Sequence, residues 1–365
     1  MLKKILTISF PFFVLFFGMS EWYARQHCEC NNLPELTGKA LTDNPMSYWA
    51  FNDPFCAYSP KPGTYSGGKT VNGLGFISTP EIKARKPDST IRIVYLGGSS
   101  AAGTGVVLKD EETWPWKVNE ILKKSGYKVD FINGAVGGYT SFESYGLLFS
   151  RIRFFNPDIV VVYHGWNDSY YFSTTSGEMY KWRENDDGSY SINFKTYYES
   201  FSPHWIDPFV QWSCLLTEFR LKFIHRQGRG ELFSQEEMEQ TAEGKFDKTR
   251  VRVFRENLLL IKALCELRGI RLFVCKQASL LPLLATEQDK FHFEGQGFDM
   301  TGYKEAFDSI YTVIDSAFKS PEIIDLSSVS YDSGNFYDQI HPSEKGTTAI
   351  ARIVSDSIIH NFFKK

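Results

Sequence analysis

From residue 91 onward the chain alternates between short, mainly apolar runs and longer segments with apolar positions spaced three and four apart. Ile91 to Leu96 is the first short run, and it ends at once in Gly97-Gly98-Ser99-Ser100, which predicts a strand leading into a tight turn. Glu112 to Ser125 has helical spacing and closes at Gly126. Val129 to Asn133 predicts a second strand, followed by Gly134 and then Gly137-Gly138. A helix over Ser141 to Phe154 leads through Asn156-Pro157 to a third strand, Asp158 to Tyr163. That strand is apolar on successive residues, as expected where both faces of a parallel sheet are covered. The pattern breaks over about 170–250 and then resumes. Val251 to Arg268 predicts a helix, Ile270 to Cys275 a strand, Thr301 to Phe318 a helix, and Glu322 to Leu326 a short strand. Ser343 to Phe362 predicts a final helix whose apolar stripe is Ala349, Ile350, Ile353, Ile358 and Phe362. Strands alternating with helices build βαβ units. The expected fold is therefore α/β: a doubly wound three-layer α/β/α sandwich around a mainly parallel five-stranded sheet. There is no internal repeat.

The residues ahead of this pattern are of another kind. Lys3 and Lys4 precede a largely apolar run from Ile5 to Met19, the form of a signal peptide or signal anchor over residues 1–25. Trp22 and Tyr23 extend the run into an interfacial aromatic belt with Arg25 beyond it, whereas Gly18-Met19-Ser20 would suit cleavage. In either case the lysines stay cytoplasmic and the bulk of the chain is exported. It is expected to be anchored in the inner membrane facing the periplasm or the exterior, or secreted after cleavage. Residues 26–88, rich in Pro, Gly, Asn and Ser, read as an irregular wrap, and 89–365 as the α/β domain. Its insertion over 170–250 carries Tyr170, Tyr171, Phe172, Tyr180, Trp182, Tyr190, Tyr197, Tyr198, Trp205 and Trp212. Insertions of this length form lids or binding surfaces. Within it Phe209, Trp212, Leu216, Phe219 and Phe223 recur at helical spacing.

Composition narrows the function classes. With 42% hydrophobic residues the 365-residue chain is too apolar for disorder. Its 40 basic against 43 acidic side chains leave a net charge of −3, which argues against a sequence-independent nucleic-acid binder. Six cysteines in a chain this long are no disulfide scaffold. Export would permit a bond from Cys28 or Cys30 to Cys56. His27 beside Cys28 lacks the further ligands a metal site needs. Cys265 and Cys275 fall in apolar patterns and read as core.

Four features carry chemistry, each at a strand end or just before the last helix, where open α/β sheets place their ligands. Ser99 sits on a glycine turn directly after the first strand, with its hydroxyl expected at the sheet edge. Gly103 is followed by Thr104 rather than Lys, so a phosphate-binding loop fails. Gly103-Thr104-Gly105 meets Leu108 where a dinucleotide fingerprint needs glycine, so that fails too. After the second strand, Gly137-Gly138 lets backbone approach a bound group and exposes an amide. After the third, Gly165-Trp166-Asn167-Asp168 offers the Asn167 carboxamide as a donor. Asp338-Gln339-Ile340-His341 places a carboxylate within reach of an imidazole, able to fix its tautomer and stabilise its charged form. Asp289 and His292 repeat the spacing, but no helix start follows them.

Together the four blocks, in this order, resemble the SGNH hydrolase superfamily, also called GDSL esterases and lipases. The likeness runs from about Ile91 to the C-terminus. It implies a flavodoxin-like sheet, Ser99 as nucleophile, an oxyanion hole from Ser99, Gly138 and Asn167, and Asp338 and His341 completing the catalytic set. Gly98 stands where the name-giving motif has Asp, Ser100 where it has Leu, and Ala135 where a glycine is frequent. The first two look more like a Gly-Gly-Ser-Ser branch common in exported bacterial proteins. Gly97-Gly98-Ser99-Ser100-Ala101 also approximates the nucleophile elbow of the α/β-hydrolases. There, however, the acid and histidine lie on separate loops and the nucleophile follows a mid-sheet strand. The implied activity is that of a serine esterase removing acetyl or another short acyl group from a glycan, with no metal or organic cofactor. An O-acyltransferase for cell-envelope polysaccharide and a catalytically idle glycan-binding protein share the same motifs. The expected partners are an acylated carbohydrate or other small ester, and a membrane through the N-terminal segment.

Overall fold

The computed structural model describes residues 2–27, 50–53, 55–63, 65–66, 69–103, 109–173, 182–184, 190–192, 213–216, 248–282 and 300–364. The chain divides into two compact units, Met1–Asn52 with Asn193–Leu232, and Asp53–Ile192 with Phe233–Lys365.

In the first unit, helix α1 spans Leu2–His27. Glu21 fastens it to a short turn: its carboxylate accepts from the Ser213 hydroxyl (2.7 Å) and from the N–H groups of Cys214 (3.0 Å) and Leu215 (2.9 Å). Ala24 and Cys214 are buried against each other, while Phe12, Leu15, Phe16, Met19 and Trp22 are exposed. Among the described residues no helix is long and apolar enough to cross a membrane.

The second unit is built on five parallel strands: β1 (Ile91–Gly97), β2 (Val129–Asn133), β3 (Ile159–Tyr163), β4 (Arg271–Lys276) and β5 (Ile323–Asp325). Their spatial order is β5-β4-β3-β1-β2, all pairs parallel. This is the flavodoxin-like order, whose topological switch point lies between β1 and β3. The helices are α2 (Trp114–Lys124), α3 (Ser141–Ser150), α4 (Trp166–Ser173), α5 (Lys248–Leu267), α6 (Met300–Ala317) and α7 (Glu344–Ile358).

Alternation along the strands divides the core. Ile93, Tyr95, Phe131, Ile159, Val161, Tyr163, Phe273 and Cys275 pack with Trp114, Val118 and Leu122 of α2 and Ile350, Ala351, Val354 and Ile358 of α7. Val94, Leu96, Ile132, Val160, Val162, Leu272 and Val274 are equally buried. With a side-chain period of two they face the other layer, where α3, α5 and α6 pack on one another and on the sheet. Arg92 closes the amino end of β1. It is fully buried, donates from Nε and Nη2 to both Asp130 oxygens (2.8 and 2.7 Å), and satisfies the carbonyls of Lys83, Ala84 and Phe155 at 3.0 Å each.

Several boundaries differ from the sequence pattern for local reasons. The helix expected from Glu112 starts at Trp114, where Pro115 suits a first turn that needs no N–H. Residues 110–112 form a separate 3₁₀ turn. The helix expected to reach Phe154 ends at Ser150 and continues as a 3₁₀ turn, Ile152–Phe155, closed by Asn156 in the left-handed region (φ +50°). The last helix stops at Ile358 and widens into a π turn, Ile359–Phe363. The described part of the expected wrap is less irregular than its composition suggests, with a strand, Ala57–Pro60, and an antiparallel ribbon, Tyr65–Ser66 with Lys69–Thr70, joined by turns. Thr79 ties it to the sheet by accepting from Asn133 N–H at 2.9 Å. Cys56 is a free, buried thiol whose Sγ lies 3.5 Å from Ser59 Oγ, and Cys28 and Cys30 lie outside the described residues. Cys265 and Cys275 are core residues, as their apolar surroundings predict. Most of 170–250, including the helix expected near Phe209 to Phe223, lies outside the described residues, as do Asp289 and His292.

Candidate active site

All the predicted site residues lie beyond the carboxyl ends of the strands. β1 ends at Gly97 and the chain turns through Gly98 into a single helical turn, Ser99–Ala102, closed by Gly103 in the left-handed conformation. This puts Ser99 at the switch point. Gly98 is required by its neighbours: a Cβ there would lie 2.6 Å from Asn167 Nδ2 and 3.2 Å from the Tyr139 carbonyl. No aspartate fits without displacing Asn167.

The loop after β5 brings Asp338 and His341 to Ser99. His341 Nε2 is 2.8 Å from Ser99 Oγ, and His341 Nδ1 is 2.7 Å from Asp338 Oδ2. The other Asp338 oxygen accepts from the N–H groups of Ile340 (2.9 Å) and His341 (2.7 Å), a turn made by the short Asp side chain itself. Burial would raise the Asp338 pKa. The hydrogen bonds and charge of the His341 ring, with those two N–H groups, outweigh it and hold the carboxyl below its ordinary value. Ser100 is buried and donates to the Ile340 carbonyl at 3.2 Å, so it fastens the His341 loop to the turn that carries Ser99.

Gly138 follows β2 in the left-handed region (φ +82°), with no room for a Cβ because Tyr58 Oη would lie 2.7 Å from it. Tyr58 comes from the wrap. Its hydroxyl donates to the Gly137 carbonyl, and the Tyr139 hydroxyl donates to the Tyr58 carbonyl. Asn167 lies in the first turn of α4. Its Nδ2 donates to the Tyr139 carbonyl at 2.8 Å, so one amide hydrogen holds the Gly138 loop and the other remains for a bound group. Ser99, Asp338 and His341 thus form one connected hydrogen-bonded chain. Asn167 is joined to the Gly138 loop beside it.

Behind this lies a buried polar network that the sequence did not reveal. Asp168 accepts from Ser141 N–H (3.2 Å to each oxygen) and from Ser141 Oγ (2.6 Å), which in turn accepts from Asn257 Nδ2 at 3.0 Å. It pins the start of α3 to the start of α4. His164 Nε2 is 2.7 Å from Ser144 Oγ, and its Nδ1 is 3.7 Å from Asp168 Oδ2. Burial lowers the His164 pKa to about 3 and raises that of Asp168 to about 7. The two are therefore a neutral buried pair in mildly acidic solution rather than an ion pair, despite their proximity. Ser141 and Ser144, spaced three apart, were the available signal, since helical spacing puts them on one face.

Among the described residues no group of three or more His, Cys, Asp or Glu could hold a metal ion.

No protein-family model matches the sequence, and no curated protein matches it. Solved structures resemble it in chain trace. An acetyl xylan esterase, AlAXEase, is 15% identical over 74% of this chain and 100% of its own, with a TM-score of 0.42. A lipase/acylhydrolase from Enterococcus faecalis is 16% identical, covering 73% of this chain and 95% of its own, with a TM-score of 0.40. The psychrotrophic esterase EstA from a Pseudoalteromonas species is 14% identical over 75% of this chain and 98% of its own, with a TM-score of 0.39.

Proposed function

We propose that this protein is a serine hydrolase of the SGNH type that cleaves carboxylic esters through an acyl-enzyme. The observation that carries the reading is the continuous chain from Asp338 through His341 to Ser99, at 2.7 and 2.8 Å. His341 Nε2 takes the Ser99 proton as Oγ attacks the ester carbonyl, and Asp338 holds the ring and balances its charge. The oxyanion is met by the N–H groups of Ser99 and Gly138 and by the Asn167 carboxamide. One such donor is typically worth about 10²–10³ in rate. His341 then protonates the leaving alcohol, the acyl group remains on Ser99, and a water deprotonated by the same ring releases it as the acid. This sequence of steps needs no metal or organic cofactor.

A short acyl group on a glycan is the proposed substrate, supported by the aromatic-rich sequence of 170–250, because rings pack against sugar faces. Export, with the N-terminal segment as membrane anchor, is supported by Lys3-Lys4 and the apolar run that follows. The test is turnover of a nitrophenyl acetate. Ser99→Ala is expected to reduce it to background, and undiminished turnover in that variant would remove the serine mechanism.

A further inference from the structure

A small cavity opens beside Ser99, lined by His164, Gly165, Trp166 and Asn167 of the segment that follows β3, and by Gln277. Gln277 follows β4, so this wall lies on the side of Ser99 away from the Gly138 loop. The residue is only 4% exposed. Its Oε1 accepts from Trp166 N–H at 2.8 Å, and that contact fixes which end of the carboxamide is nitrogen. Among the described residues the Gln277 amide nitrogen has no hydrogen-bond partner. The amide nitrogen is not among the buried polar atoms left without a partner, so it is open to solvent, and a substrate that displaces that water must supply an acceptor or forfeit the hydrogen bond. The geometry leaves it little freedom: Oε1 would lie only 2.9 Å from a Cβ on Gly165, so only glycine lets the amide sit so close to the β3 loop.

We infer that Gln277 is a specificity residue that donates to a second oxygen of the substrate, one other than the carbonyl oxygen under attack. The inference rests on the serine-hydrolase reading, in which that carbonyl oxygen already has the Ser99, Gly138 and Asn167 donors. A hydrocarbon in the same place would leave the amide hydrogens unpaired. The favoured substrates are therefore esters with an ether or hydroxyl oxygen near the scissile bond, on either the alcohol or the acyl part.

Two substrate pairs distinguish these sources: an O-acetylated monosaccharide against cyclohexyl acetate, and nitrophenyl methoxyacetate against nitrophenyl butyrate. The wild-type protein should prefer the oxygen-bearing member of one pair. Gln277→Glu, assayed at pH 8, keeps an acceptor for Trp166 N–H and removes the free N–H donors. It should lower kcat/KM for that member about tenfold, the scale of one neutral hydrogen bond. Turnover of nitrophenyl acetate, whose acyl part carries no such oxygen, should fall by less than turnover of that member. Equal losses on both members of a pair would mean that Gln277 does not read the second oxygen, and would overturn the inference. So would a wild-type protein with no preference in either pair, a comparison that needs no variant. Were no ester turned over and Ser99 unlabelled, the serine-hydrolase reading itself would fall, and the inference with it.

Discussion

Replacing Asp168 by Asn isolates the charge state of the buried pair behind the site. The substitution conserves shape and keeps an oxygen for Ser141, whose N–H lies 3.2 Å and hydroxyl 2.6 Å from the carboxylate. Folding raises the Asp168 pKa from 3.8 to about 7. Its contribution to stability is therefore fully present below pH 3.8 and is lost as the pH rises through about 7. His164 has the opposite sign. Its pKa falls from 6.5 to about 3, so its contribution is present above pH 6.5 and is lost as the pH falls through about 3. Between about pH 3.8 and 6.5 the native pair and the unfolded pair each hold one proton, and the two slopes cancel. Asn titrates in neither state, so Asp168→Asn exposes the His164 slope, about 1.4 kcal/mol per pH unit. Acidification from pH 6.5 to 4.5 should then cost the variant about 2–3 kcal/mol more than wild type. Urea denaturation of both proteins at the two pH values measures this directly. Glu143, buried with a raised pKa, interacts with Asp168 by charge, so both proteins are compared in a Glu143→Gln background. A gap that stays constant with pH would mean that Asp168 is ionised in the folded protein. A gap that narrows on acidification would contradict the neutral pair outright.

Other perturbations follow from the same contacts. Gly98→Asp, which restores the residue of the name-giving motif, puts a Cβ within 2.6 Å of Asn167 Nδ2. It should lower kcat/KM for nitrophenyl acetate by about 10²-fold, the scale of displacing a catalytic donor by an ångström. Arg92→Leu leaves Asp130 and the carbonyls of Lys83, Ala84 and Phe155 without their partner. It should destabilise the protein by about 3–5 kcal/mol in urea denaturation, with the Ser99 site chemically intact in whatever fraction stays folded.

The strands and their parallel pairing were legible because β3 is apolar on every residue and β1 on every residue but Arg92 before its closing glycine, a pattern expected of a sheet covered on both faces. The Ser99, Asp338 and His341 cluster was legible because the chain must turn at glycines or Asx residues at strand ends, and those turns are short enough to mark. Helix ends were less so. Ser150 and Ile358 end helices where the chain relaxes into 3₁₀ or π turns, and apolar spacing does not register such a change of hydrogen-bond ring. The parts of the site that were missed depend on contacts far apart in sequence. Tyr58 reaches the Gly137 carbonyl across 79 residues, and Gln277 meets Trp166 across 111. Nothing local to a tyrosine in a wrap or a glutamine after a strand announces such a partner. Asp168 was adjacent to a recognised donor, yet its role comes from Ser141 and Asn257 on other helices.

The central claim is that Ser99 is a nucleophile activated by His341, and labelling by a fluorophosphonate tests it most directly. Mass mapping of the labelled protein should place one adduct on the Ser99 peptide, with labelling slowed severely in His341→Ala. An adduct on another residue, or equal labelling with and without the imidazole, would contradict it.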